Sequence, residues 1–195
     1  LSHAVEHSFN SVTVDGDMST NDTVLVLANG MAGNTFISDP ESPAFKSFQH
    51  GLTEVATVLA QEIARDGEGA SKFVTIRVTG ARTATAARTV AKTIATSTLV
   101  KTAIYGQDAN WGRVLCAAGY SGVEIDQQRL ALWMSNGVDT LHLVQAGAPF
   151  EIDELRAASI LEGLEISLHL DLGLGEEEAT VWTCDLTHEY IDINA

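Results

Sequence analysis

DGEGASKFVTIRVTGA, Asp66 to Ala81, joins the longest helical pattern of the chain to its clearest strand. In the strand, Phe73, Thr75, Arg77 and Thr79 fall on one face and Val74, Ile76 and Val78 on the other, a strict period of two. Ahead of it, Ser42 suits an N-cap and Pro43 the first helical position. From there Phe45, Phe48, Leu52, Val55, Leu59 and Ile63 recur at spacings of three and four, predicting a long amphipathic helix with this stripe packed and Gly67 at its end. Gly51 inside it costs roughly 1 kcal/mol against Ala, which the stripe should override. At the joint, Glu68 sits between Gly67 and Gly69. Two readings stand. Glycines free to adopt positive φ let a ligand approach the backbone, with the carboxylate aimed at it. Alternatively, a glycine cap is followed by a solvated Glu, the ordinary state of that residue.

Working outward, residues 1–9 predict a helix with Leu1, Val5 and Phe9 on one stripe, and Val14 to Asp22 a turn-rich loop. VLVLA, Val24 to Ala28, is compatible with a buried strand, and Asn29-Gly30 marks a turn. Residues 84–97 predict a helix with Ala87, Val90, Ala91 and Ile94 as its stripe. KTAIYGQDAN reads as an irregular polar connection. Asn110 then caps a short buried helix carrying Trp111, Val114, Leu115 and Ala118 and stopped by Gly119. Asn136-Gly137 between two strand patterns signals a hairpin with a type I′ turn. Residues 152–162 predict a helix, 164–173 and 179–186 strands, and Tyr190, Ile191 and Ile193 a final extended piece. No repeat, low-complexity tract or linker stands out, so residues 1–195 read as a single layered α/β or α+β domain.

The chain has 195 residues and is 45% hydrophobic, enough for a real core. With 11 Lys and Arg against 26 Asp and Glu, its formal charge is −15. That disfavours nucleic-acid and anionic-membrane surfaces, which need a basic footprint, and would attract a cationic small substrate. No run of about 18 apolar residues is present to span a membrane. Cys116 and Cys184 form no CxxC motif; both lie in apolar surroundings and are expected as buried free thiols in a soluble intracellular protein.

Three motifs resolve into bland readings. His3-Ala-Val-Glu6-His7 spells a zinc-protease pattern, but both His residues fall opposite the apolar stripe and no third ligand is specified, so no metal site is assigned. Asp15, Asp17, Ser19 and Asn21 begin like a calcium loop, which fails at Thr20 and Val26; a self-bonded Asx loop is expected instead. GLGEEE carries the wrong charge for phosphate. His50, His142, His169 and His188 are scattered, and no spacing pairs one with a hydroxyl or thiol.

Residues 9–30 (FNSVTVDGDMSTNDTVLVLANG), 66–81, 99–122 (LVKTAIYGQDANWGRVLCAAGYSG) and 184–195 (CDLTHEYIDINA) together resemble the β chain of the ornithine acetyltransferase (glutamate N-acetyltransferase) family, collinearly over essentially the whole chain. The resemblance implies a precursor that cuts itself into α and β chains and a nucleophilic Thr at the new β N-terminus, whose α-amine acts as base. That Thr is expected upstream of Leu1, so no catalytic residue is assigned within this chain, which alone should be inactive. Acetylornithine would acetylate the Thr and glutamate would collect the acetyl group. No cofactor is implied; acetyl-CoA is a second donor in some members. Glu68 corresponds to a substrate-binding Glu, suited to the side-chain ammonium of ornithine, and Asn194 to a substrate-binding Asn near the tail. The implied fold is a four-layer α/β/β/α sandwich completed by a separate α chain, in an α2β2 or higher assembly. CDLTHEYI and ANWGRVLCA look more like fungal mitochondrial members than typical bacterial ones, which implies the matrix if the source is fungal and the cytoplasm otherwise. Two other readings compete: a related self-processing aminopeptidase or amidase, whose acyl-enzyme goes to water or another amine, and a non-catalytic binding subunit.

Overall fold

The computed structural model describes residues 1–195. A short helix α1 (Ser2–Glu6) and a 3-10 turn (Phe9–Ser11) open the chain, and an irregular segment leads to the long helix α2 (Pro43–Arg65). Strand β1 (Phe73–Ala81) is followed by three helices, α3 (Ala84–Ala95), α4 (Thr98–Tyr105) and α5 (Trp111–Gly119). Then come β2 (Ala131–Ser135), β3 (Thr140–Gln145), the two-residue β4 (Ala148–Pro149), α6 (Glu154–Leu161), β5 (Glu165–Asp171), β6 (Glu177–Cys184) and α7 (His188–Asn194). The strands form one mixed sheet in the order β4-β3-β2-β5-β1-β6. β1 runs parallel to β5 and antiparallel to β6, so the strand with the cleanest sequence alternation lies inside the sheet.

That alternation sets the layers. Val74, Ile76 and Val78 are fully buried, facing α3, whose Ala87, Val90, Ala91 and Ile94 are equally buried. Side chains of α4, α5 and α6 join the same 28-residue core with Leu132, Met134, Ile166 and Leu168 from neighbouring strands. The other sheet face is polar. His142, Trp133, His169, Arg77 and Thr180 form one row across β3, β2, β5, β1 and β6. Trp133 stacks between His142 at 4.6 Å and His169 at 5.0 Å. At one end of this face Ala64 of α2 packs on Phe73 and Trp182, and at the other the Phe150 ring lies 4.6 Å from His142. The chain itself thus supplies a sheet and a helix layer, with α2 on the far side.

Several expectations need correction. The large apolar stripe of α2 is not packed: Phe48, Val55, Leu59 and Ile63 are exposed, and the small residues Ala56, Ala60 and Ala64 face the body instead. VLVLA forms no strand; Leu25 and Leu27 are 76% and 92% exposed, because no strand of this chain lies beside it to pair its backbone. Ala4, Ser8 and Ser11, rather than Leu1, are the buried positions of the first segment. KTAIYGQDAN is irregular only from Gly106; the Ser97 side chain accepts from Val100 N and starts α4, which buries Val100, Lys101, Ala103 and Ile104. The hairpin loop is four residues, Asn136 to Asp139, between paired Ser135 and Thr140, because the Asn136 carboxamide accepts from Val138 N and Asp139 N; only Gly137 takes positive φ. The final piece is helical, not extended, since Thr187 caps it by accepting from Tyr190 N. Cys116 is exposed, because α5 turns it away from Val114, Ala117 and Ala118; Cys184 is buried as expected.

Candidate functional site

The helix–strand joint and the C-terminal helix meet. Glu68 and Asn194 are 126 positions apart, yet Asn194 Nδ2 donates to Glu68 Oε2 at 3.2 Å and to Tyr190 O at 2.9 Å. Both side chains lie at the surface, so the carboxylate and carboxamide form one polar face open to a ligand.

The local chemistry explains the meeting. β6 ends at Cys184, and the next residue, the buried Asp185, stitches it to the strand entering the sheet beside it. Its carboxylate accepts from Ser71 N at 2.8 Å, Lys72 N at 2.9 Å and the Ser71 hydroxyl. Two residues on, the Thr187 hydroxyl donates to Gly69 O at 2.7 Å while accepting from Tyr190 N, so one side chain both caps α7 and ties it to the loop. Gly69 takes φ +64, and a Cβ there would lie 2.6 Å from Tyr190 N. This glycine is what lets α7 approach. On the other side of Glu68, a Cβ at Gly67 would meet Cys184 Sγ at 3.0 Å and Val14 Cγ1 at 3.2 Å.

The surroundings are acidic above and cationic below. Tyr190 Oη donates to Asp15 Oδ2 at 2.8 Å. The Asp17 amide, followed by this phenol, holds the Asp15 carboxyl below its usual range, and the Asp15 carboxylate raises the phenol in turn. Beneath them Lys101 is buried, 2% exposed. Its ammonium donates to Thr183 Oγ1 at 3.0 Å, to Cys184 O, and towards Cys184 Sγ at 3.7 Å. Burial lowers the Lys101 pKa, with Cys184 and then Asp185 acting against it; burial raises the Cys184 thiol. A carboxylate and a carboxamide in contact can bind an ammonium and orient a carboxylate or amine. The buried, raised Cys184 thiol is not an activated nucleophile.

Other sequence candidates lie elsewhere. His3 and His7 stack at 4.3 Å, with His7 Nδ1 on His3 O, and no group of three metal-ligating side chains converges anywhere. The Asp15 loop is self-bonded through Asp17 N to Asp15 Oδ1. His169 does meet a hydroxyl, Thr79 Oγ1 at 2.8 Å, a pairing no sequence spacing suggested because it crosses two strands. Sequence reasoning missed Asp15, Tyr190, Asp185 and Lys101. Only Lys101 carried a signal, a Lys at the core-facing spacing between Val100 and Ile104.

A mixed α/β chain whose N-terminal, middle and C-terminal segments build one polar patch is the class that fold and site define. The ArgJ family model matches residues 1–195. Relatives named arginine biosynthesis bifunctional protein ArgJ, mitochondrial, are 48% identical in Heterostelium pallidum and 50% identical in Verticillium alfalfae, each matching 100% of this chain and 48% and 45% of their own length. The crystal structure of the protein of that name from Bacillus halodurans superposes with a TM-score of 0.93 at 42% identity, covering 99% of this chain and 89% of that one. The chain belongs to the ArgJ family. It spans about half the length of the curated relatives it matches.

Proposed function

We propose that the chain is the β portion of an acetyltransferase of arginine biosynthesis, moving the acetyl group of N2-acetylornithine to glutamate through an acetyl-threonine intermediate. The contact between Glu68 and Asn194 in a chain of the ArgJ family carries the reading. Glu68 takes the ammonium of the ornithine side chain, and Asn194 the amino acid's carboxylate or amine. Glutamate offers Glu68 like charge, so it binds through Asn194 and water with its side chain turned away. The nucleophilic Thr lies upstream of Leu1 and becomes an N-terminus by self-cleavage. An α chain supplies the oxyanion hole, and acetyl-CoA serves as a second donor.

The α chain also covers the exposed Phe48, Val55, Leu59 and Ile63 of α2 and the Leu25–Leu27 run. An apolar stripe of this length on a solvated helix is otherwise costly. With it the chain completes a four-layer sandwich in an α2β2 or larger assembly. The mitochondrial names of the relatives support the matrix as its compartment. No helix is long and apolar enough to cross a membrane.

The test is acetyl transfer by the full-length protein from N2-acetylornithine, with glutamate against water alone. Formation of N-acetylglutamate with release of ornithine is expected. Hydrolysis without transfer would replace this reading with that of a related amidase. Intact mass of the processed protein should show a β chain beginning with Thr.

A further inference from the structure

Below and beside the Glu68–Asn194 face runs a connected set of groups that no substrate contact explains. Lys101 has three donors and three acceptors within reach, Thr183 Oγ1, Cys184 O and Cys184 Sγ, which suits an ammonium and leaves none of its protons idle. Cys184 Sγ in turn lies 3.9 Å from Val14 O and packs beneath Gly67. Val14 fixes the position of Asp15, whose carboxylate receives the Tyr190 phenol. Tyr190 is one turn before Asn194 and accepts its carboxamide at the backbone. The buried cation, the acidic loop, the phenol and the C-terminal helix are therefore in series.

We propose that Lys101, Asp15 and Tyr190 act as positioning residues, a relay that seats α7 against the Gly67–Glu68–Gly69 loop and so fixes Asn194 beside Glu68. None of the three touches the Glu68 carboxylate, so each acts through another group. The Lys101 charge anchors the end of β6 and favours the ionised Asp15. The Asp15 carboxylate makes the Tyr190 bond charge-assisted, about twice as strong as a neutral one. The consequence for substrate binding rests on the proposed function; the seating of α7 does not.

The experiment uses the full-length protein with Tyr190→Phe, a change at the surface that keeps the ring, and Lys101→Met, which keeps the stem and removes the charge. Hydrogen exchange of the Tyr190–Asn194 amides should quicken severalfold in both. KM for acetylornithine should rise about tenfold, the weight of one charge-assisted hydrogen bond, while kcat stays within about twofold, because a seat for a substrate ligand contributes equally to ground and transition states. Unchanged α7 exchange in Tyr190→Phe overturns the relay whatever the activity. Faster exchange with unchanged KM overturns its role in positioning. If Lys101→Met does not fold, Tyr190→Phe decides alone. If the unsubstituted protein transfers no acetyl group, the functional reading falls while the exchange arm still decides the relay.

Discussion

Gly69 holds the tightest backbone approach around the candidate site, at a φ that side chains rarely take. Gly69→Ala should therefore destabilise the protein by about 2 kcal/mol, from left-handed strain together with displacement of α7. Chemical denaturation measures it; a loss under about 0.5 kcal/mol, the usual size for a surface change, would show that the loop and α7 separate freely. Glu68→Ala at the next residue should leave that stability unchanged while weakening use of acetylornithine, and wild-type kinetics would remove Glu68 from the site. Away from the site, Asp139 receives Arg156 Nε at 2.7 Å and Nη2 at 2.5 Å. That guanidinium lowers the carboxyl from 3.8 to about 2. A lowered folded-state pKa contributes stability above the unfolded value that is lost as pH falls towards the folded one, so this tie should weaken between about pH 4 and 2. A carboxyl 13C titration should place the midpoint near the lower figure and return it towards the ordinary range in Arg156→Met.

Helix α2 presents two faces of different kinds. Ala56, Ala60 and Ala64 let it lie close to the body, while Phe48, Val55, Leu59 and Ile63 point away. On the proposed function, a paired Leu59→Asp, Ile63→Asp change should leave the circular dichroism of this chain intact yet abolish its co-purification with the proposed α chain. Retained co-purification would mean that the face is free. Long regular patterns packed within the chain were the legible ones, and short elements such as α4 were not. The alternation of β1 divided its two faces as the structure does, and the stripe of α3 is its buried side, because that stripe meets Val74, Ile76 and Val78. For α2 and for Val24–Ala28 the pattern identified apolar residues but not their exposure, since periodicity reports hydrophobicity and not whether a neighbour covers it. The short α7 failed for a different reason. Its Tyr190, Ile191 and Ile193 favour strand, and a single capping hydroxyl at Thr187, tied to Gly69, outweighs them.

Across the whole molecule, the face formed by Glu68 and Asn194 draws on segments near residues 15, 68 and 190. Composition and spacing offered Glu68 as a ligand only as the weaker of two readings, and offered Asn194 not at all; the family resemblance supplied both. Their proximity depends on a sheet order that no local pattern contains, since β1 bonds to β5 and β6 rather than to its sequence neighbours. That order has a consequence for biosynthesis. Residues 73 to 81 leave the ribosome long before either of their pairing partners, at 165–171 and 177–184, has been translated. Until then both hydrogen-bonding edges of β1 lack a strand partner, and long-range pairing of this kind is slow and prone to aggregate. Nascent chains arrested near residue 160 should be protease-sensitive within β1, and those arrested after residue 195 has cleared the exit tunnel should resist. The last fifth of the chain is thus the part whose arrival closes the sheet, and a ribosome stall just before it would leave a product dependent on chaperones.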